Sequence, residues 1–97
     1  MFTSKQRAVL RSMAQTIEPV GQIGKGGISE TVKKNFSDAL EARELIKITV
    51  LNNVDDDINY LAQDLATEIG AEVVCVIGHK IVLYRRSSKK NFDHIKF

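Results

Sequence analysis

Residues 20–30, VGQIGKGGISE, decide how the chain on either side of them is organised. The first four residues are typical of a short strand. Ser29 is a good N-cap for a helix that carries Glu30 in its first turn. A glycine-rich connection with Lys25 lies between the two. This order predicts a strand that enters a helix through a loop. Such a loop could cradle a nucleotide phosphate, hold a nucleic-acid backbone or serve only as a turn.

The chain before this stretch predicts one helix over residues 4–16. Apolar residues recur there at helical spacing. Thr3 and Gln6 have the spacing of a capping box at the helix start. Pro19 is incompatible with a continued helix, so the helix is expected to end before it. The sequence therefore places a helix ahead of the first strand.

The chain after the loop alternates helices and strands. Its pattern predicts a second helix from Glu30, a half-buried strand over residues 44–51 and the strongest helix over residues 55–70. Two strands follow, over residues 72–77 and 80–85. Only two residues separate these strands, which leaves room for a tight hairpin and nothing longer.

These elements predict an α/β two-layer sandwich, with an N-terminal helix and then β-α-β-α-β-β around a mixed four-stranded sheet. Strands joined by helices are expected to pair in parallel through right-handed crossovers, and the final hairpin adds an antiparallel strand. A chain of 97 residues suits one domain. We expect that domain to cover residues 1–86 and to be followed by a basic, flexible tail over residues 87–97.

Charged residues are distributed unevenly along the chain. The net charge is +4 over residues 1–34, −7 over residues 35–78 and +5 over residues 79–97. If the two ends of the chain meet in the folded protein, one face is basic and the opposite face is acidic. Such polarity favours a polyanionic partner over a small neutral substrate.

Several features of the sequence limit the cellular compartment in which we expect the protein. The single cysteine, Cys75, cannot form an internal disulfide and is typical of a reducing compartment. The first 20 residues lack the apolar core of a signal peptide. No apolar run is long enough to span a bilayer. We therefore expect a cytoplasmic protein with no membrane partner, and nothing in the sequence demands more than a monomer.

The glycine loop matches neither common nucleotide-binding motif. A P-loop requires G-x-x-x-x-G-K-[ST], but here Lys25 precedes the last two glycines. A Rossmann fingerprint also fails, because Gly21, Gly24 and Gly26 do not give G-x-G-x-x-G. What remains is G-x-x-G from Gly24 to Gly27, the spacing with which KH modules clamp a nucleic-acid backbone. A plain strand-to-helix turn would use the same glycines, so both interpretations stay open.

No other group of residues forms a catalytic or metal-binding pattern. The adjacent acids Asp55 to Asp57 stand where a helix start favours negative charge. His79 and His94 have no ligand partner at metal-binding spacing. We therefore expect a protein that is not an enzyme and that needs no cofactor.

These residues together resemble the YhbY family of small bacterial proteins, whose unit is the CRM (chloroplast RNA splicing and ribosome maturation) domain. The likeness runs from about Lys5 to Arg86. It is carried by short segments in matching order: KQR at 5–7 with Leu10 and Ala14, Pro19, IGK at 23–25 with Gly27, AL at 39–40, ELIK at 44–47, VIG at 76–78 and LYR at 83–85. At Gly26 the chain departs from the polar residue that family members often carry.

The resemblance implies a fold similar to the C-terminal domain of translation initiation factor three, with an additional N-terminal helix. It also implies non-enzymatic RNA binding and a role in assembly of the large ribosomal subunit. The implied partners are ribosomal RNA or pre-large-subunit particles, with ribosomal proteins as further partners. Aromatic residues make up only 6% of the chain, which disfavours a base-stacking platform. We therefore expect contacts to the backbone and shape of structured RNA.

The predicted RNA-binding residues combine the glycine loop with basic residues from both ends of the chain: Gly24, Lys25, Gly26, Gly27, Lys5, Arg7, Arg11, Lys33, Arg85 and Arg86. Two alternative functions stay open. The acidic middle segment, around Asp55 to Asp57 and Asp64, could bind a protein partner. The glycine loop could instead bind a mononucleotide.

Overall fold

The computed structural model of the protein describes residues 2–54 and 57–97. Within these residues the chain forms three helices and four strands. Their bounds are Ser4–Ala14 (α1), Gly21–Ile23 (β1), Glu30–Arg43 (α2), Leu45–Val50 (β2), Ile58–Ile69 (α3), Glu72–Ile77 (β3) and Lys80–Tyr84 (β4). The predicted order of elements is confirmed, and α1 is two residues shorter than expected.

The helix caps that the sequence predicts are present. The Gln6 N–H donates to the Thr3 hydroxyl at 3.1 Å, and the Thr3 N–H donates to the Gln6 side chain at 3.0 Å. The Ser29 hydroxyl accepts from the Val32 N–H at 3.2 Å at the start of α2. Gly70 ends α3 in the left-handed conformation. These caps give partners to backbone groups that a helix end leaves unsatisfied.

The four strands form one mixed sheet in the order β1-β2-β4-β3. Strand β1 runs parallel to β2, whereas β4 is antiparallel to both β2 and β3. Strands β2 and β3 therefore point the same way but do not pair, and the expected direct parallel pairing of these two strands is wrong. The reason lies in burial, because four of the five residues of β4 are buried and need a central position.

Both faces of the central strands carry apolar residues, so the sheet packs on both sides. One face packs against α2 and α3 through Ile46, Ile48, Ile81 and Leu83. The other face packs against α1 through Leu45, Val74, Val82 and Tyr84. The expected two-layer sandwich is therefore corrected, since α1 forms a third, partial layer. Alternation along β2 and β4 produces this result, because successive side chains point to opposite faces.

Residues 87–97 lie against the domain, although their composition predicts a loose tail. The fully buried carboxylate of Glu44 holds this segment. It accepts from the Ser87 N–H at 2.7 Å and from the Ile95 N–H at 2.8 Å, and it also contacts His94 Nδ1. A carboxylate from the end of α2 thus anchors the segment, alongside the apolar contacts of Ile95 and Phe97.

The two ends of the chain meet in an aromatic cluster. The ring of Phe97 lies 5.6 Å from that of Phe2 and 5.0 Å from that of Tyr84, in edge-to-face contacts. The two basic ends of the chain therefore lie on the α1 side of the sheet. The opposite side carries α2 and α3 with all five of their acids: Glu30, Asp38, Glu41, Asp64 and Glu68.

Candidate nucleic-acid interface

The glycine loop forms a tight turn between β1 and α2. The Gly27 N–H donates to the Gly24 carbonyl at 2.9 Å and closes a four-residue turn. Gly27 has a φ of 68°, a conformation that residues with a Cβ adopt only at a cost. Lys25 and Gly26 lie at the exposed tip. Because the turn itself uses the Gly27 amide, the Gly26 amide and the Lys25 ammonium are the groups that the tip presents.

The loop leads directly to the N-terminus of α2, where the electrostatics favour an anion. The first N–H groups of a helix lack intrahelical acceptors, and the helix dipole is positive at this end. The exposed Lys25 adds a full positive charge. Within residues 2–54 and 57–97, Lys25 has no ion-pair partner. Ser29 already caps the Val32 N–H and Glu30 carries a negative charge in the first turn, so a phosphate would depend mainly on Lys25 and the Gly26 amide.

The β3–β4 hairpin lies at the same end of the sheet as the loop. The Leu51 N–H donates to the Ile23 carbonyl at 2.9 Å, and the Val50 N–H donates to the His79 carbonyl at 2.7 Å. These two bonds bring the ends of β1 and β2 together with the hairpin. Lys80 directly follows the hairpin turn, as the first residue of β4, and is missing from the predicted site residues. No sequence signal marks it, since only the pairing of β4 with β2 brings it here.

Arg7 holds α1 against β3. Its Nη1 donates to the carbonyls of Val73 and Val74 at 2.7 and 2.6 Å. The register of β3 shifts between Val73 and Cys75, and such a bulge leaves backbone groups without ladder partners. The guanidinium also lies 5.5 Å from the centre of the Phe2 ring. Arg7 therefore has a structural role, although its position in the sequence suggested an RNA contact.

Arg85 joins α2 to the end of α3. Its Nη1 donates to the Ser37 hydroxyl at 2.9 Å and to the Ile69 carbonyl at 2.7 Å. Its Nη2 donates to the Ser37 carbonyl at 2.8 Å and to the Glu41 carboxylate at 3.2 Å. Its side chain is 19% exposed and four of its five N–H donors have internal acceptors, so Arg85 has little left for a ligand.

The remaining predicted cations differ in whether they form ion pairs. Lys33 lies 3.2 Å from Glu30 and 3.6 Å from Glu68, and the hydrogen bond to Glu30 raises the pKa of Lys33. Its charge therefore neutralises acids on its own side of the protein. Three other predicted cations are exposed and have no ion pair among the described residues: Lys5, Arg11 and Arg86.

The predicted site residues lie at two opposite ends of the sheet. Tyr84 pairs with Leu45, the first residue of β2, so Arg85 and Arg86 emerge at that end. The glycine loop lies beyond Val50, the last residue of β2. A strand of this length spans about 17 Å. The predicted residues therefore do not form one continuous patch around the loop.

Of the acids predicted as a protein-binding segment, Asp57 has a structural role and Asp64 is exposed on α3. Asp57 caps α3 by accepting from the Asn59 and Tyr60 N–H groups at 2.8 and 3.2 Å. Asp55 and Asp56, the other two acids of the predicted cluster, lie outside the described residues. Over the residues that the structure describes, no group of metal-ligating side chains could hold an ion. None of the helices described is long and apolar enough to cross a membrane.

The fold and the loop together define a small α/β domain with a G-x-x-G turn at a helix N-terminus. The family model of the CRS1/YhbY (CRM) domain matches residues 2–85. The chain therefore belongs to this family, and the resemblance found in the sequence is confirmed.

Three relatives illustrate the similarity. The chain is 44% identical over 89 residues to the probable RNA-binding protein YqeI of Bacillus subtilis, covering 92% of this chain and 93% of that protein. It is 32% identical over 88 residues to an RNA-binding protein of Haemophilus influenzae, covering 91% and 89%. The solution structure of the hypothetical protein SAV1595 from Staphylococcus aureus superposes with a TM-score of 0.79 at 49% identity, covering 94% and 95% of the two chains.

Proposed function

We propose that this protein is a non-enzymatic, cytoplasmic RNA-binding protein that associates with precursors of the large ribosomal subunit and assists their assembly. Relatives that cover nearly the whole chain are named as RNA-binding proteins, which supports the RNA partner. The ribosomal role rests on the family resemblance, as does the likeness to the C-terminal domain of translation initiation factor three.

One observation carries the proposed mode of binding. The glycine loop presents an exposed lysine on a turn at a helix N-terminus, and this lysine has no ion pair among the described residues. At Gly26 an added Cβ would meet no atom within 4 Å, so the approach to the tip is open. A phosphate of the RNA backbone fits this combination of amide donor, helix dipole and cation.

The proposed contact set is narrower than the predicted one. Lys25 and the Gly26 amide hold phosphate, and Arg11 widens the basic surface on the α1 side. Arg7 and Arg85 support the fold and contribute only through their distant charge. Recognition of this kind reads backbone and shape, since it involves no aromatic residue beside the loop.

Sedimentation in a sucrose gradient tests the ribosomal role. Tagged protein in lysate is expected to sediment with large-subunit particles or their precursors, and ribonuclease treatment is expected to release it. Protein that stays at the top of both gradients would contradict stable association with ribosomal particles. Sedimentation that resists ribonuclease would contradict the RNA contact and point to a protein partner.

A further inference from the structure

The α1 side of the sheet is covered over only half of its area. Helix α1 and the C-terminal segment pack on one half, where Leu45, Val82 and Tyr84 are buried. The other half lies toward the glycine loop. Exposed or half-exposed side chains mark it, among them Ile77 at 46% exposure.

The strand register fixes which residues share this uncovered area. Gln22 pairs with Thr49, Thr49 pairs with Lys80, and Lys80 pairs with Ile77. Lys47 lies two residues before Thr49 on the same strand and therefore on the same face. These residues form what we call the open half-sheet: Gln22, Lys47, Thr49, Ile77 and Lys80. Every strand of the sheet contributes to it.

The open half-sheet is positively charged. It contains two lysines and no acid, and Lys47 lies diagonally across from Lys80, a spacing of about 7–8 Å between backbone positions. Arg11 of α1 stands at its border near Cys75. Burial raises the pKa of the Cys75 thiol, and the positive charges of Arg11, Arg7 and Lys47 oppose that effect. Among the described residues, neither Lys47 nor Lys80 forms an ion pair.

The chemistry of this surface fits a polyanion with hydroxyl groups. The ammonium groups of Lys47 and Lys80 can neutralise phosphates, while the Thr49 hydroxyl and the Gln22 amide can bind phosphate or ribose oxygens. No aromatic residue is present for base stacking. Gln22 stands two residues before the glycine loop, so the same strand of RNA can contact both places.

We propose that the open half-sheet is a second RNA-backbone contact that continues the surface of the glycine loop. Lys47 and Lys80 neutralise phosphates, and Gln22 and Thr49 bind sugar or phosphate oxygens. This inference rests on the proposed RNA-binding function and adds residues that the sequence did not single out. It also moves the predicted surface away from Arg85 and toward the hairpin.

A pair of charge-matched variants tests this proposal. Lys47→Gln with Lys80→Gln removes two charges from the open half-sheet, and Lys89→Gln with Lys90→Gln removes two charges beyond β4 at the opposite end of the sheet. Each protein is titrated with a fully paired RNA hairpin over a range of salt concentrations. The first variant is expected to reduce the salt slope of binding by about 1.4–1.8, which corresponds to two phosphates, while the control keeps the wild-type slope.

The outcomes separate this inference from the proposed function. Wild-type protein that does not bind the hairpin would overturn both. Wild-type binding that is weakened by Lys25→Ala but unchanged by the Lys47 and Lys80 substitutions would overturn only the open half-sheet. Equal losses in the two double variants would reduce the effect to net charge and would also overturn it.

Lysine acylation of the wild-type protein provides a measurement that requires no substitution. RNA is expected to protect Lys47 and Lys80 from the reagent and to leave Lys34 and Lys90 accessible. Equal modification of Lys47 and Lys80 with and without the hairpin would contradict the proposal, even if a substituted protein failed to fold.

Discussion

The two ends of the sheet both carry basic residues, and they use them in different ways. At the end where β4 finishes, Arg85 donates to Ser37, Ile69 and Glu41 and is mostly buried. At the end with the glycine loop, Lys25 is exposed and unpaired within the described chain. Arg85 at the first end stabilises the fold, whereas Lys25 at the second end remains available for a ligand.

At the first end, removal of the buried carboxylate of Glu44 should cause the largest loss of stability. In Glu44→Ala, the Ser87 and Ile95 amides lose their acceptor, and the free energy of unfolding is expected to fall by about 2–5 kcal/mol. Glu44 also has a φ of 66°, outside the range that non-glycine residues prefer. Glu44→Gly should therefore lose about 1 kcal/mol less than Glu44→Ala. Urea unfolding of the two variants measures both numbers, and equal stability would contradict the strain argument.

Replacing one cation at each end tests the comparison directly. Arg85→Ala should reduce the free energy of unfolding by about 2–3 kcal/mol, because it removes hydrogen bonds from a charged, partly buried group. Lys25→Ala should change that free energy by less than about 0.5 kcal/mol. For RNA, the order reverses: Lys25→Ala should lower the salt slope by about 0.7–0.9, and Arg85→Ala should not. Denaturation and salt titration of the same two proteins provide the check.

Acid should weaken the first end before it affects the second. Burial would raise the pKa of Glu44, but the hydrogen bonds from His94, Ser87 and Ile95 outweigh it and leave that pKa below the ordinary value of 4.5. A depressed pKa in the folded state adds stability above pH 4.5, and that stability is lost as the pH falls through the folded value. Unfolding measured at several values of pH should show this loss.

The matched control for the acid effect is Glu44→Gln, which cannot titrate at this position. Its stability should depend less steeply on pH below 4.5 than that of the wild-type protein. Identical pH profiles for the two proteins would show that the acid sensitivity arises elsewhere, for example at Glu41. The hydrogen bonds from Ser88 lead the effects that lower the pKa of Glu41.

The smallest expected effect distinguishes two glycines within the loop. Gly27 has a positive φ, so Gly27→Ala should reduce the free energy of unfolding by about 1 kcal/mol. Gly26 does not have a positive φ, and its Cβ would meet nothing within 4 Å, so Gly26→Ala should leave stability unchanged or slightly higher. Thermal unfolding measures the difference. A loss in Gly26→Ala as large as in Gly27→Ala would show that the turn is more constrained than its geometry indicates.

Much of the local structure could be predicted because it depends on residues close in sequence. The capping box of Thr3 and Gln6, the N-cap Ser29 and the hairpin at Gly78 each involve partners within a few positions. The strand order could not be predicted in this way. It depends on how much apolar surface β4 buries on both faces, a property of the assembled sheet.

The candidate site divides along the same line. The sequence identified Lys25 and the glycine loop, since a G-x-x-G motif before an N-cap is a local pattern. It could not distinguish Arg7 and Arg85 from free cations, because the carbonyls and carboxylates that bind them come from distant elements. Lys80 was missed for the opposite reason, as no local pattern marks a lysine that strand pairing brings near the loop.

The sequence by itself determined the elements, their caps, the glycine loop and the family to which the chain belongs. The tertiary structure decided that α1 covers one half of the sheet and that Glu44 anchors residues 87–97. It also decided that Arg7 and Arg85 bind acceptors within the protein. The physical reason is the distance in sequence between the residues that interact. Periodicity and capping act over a few residues, whereas the pairing of a charge depends on which distant backbone groups and carboxylates the fold brings to it.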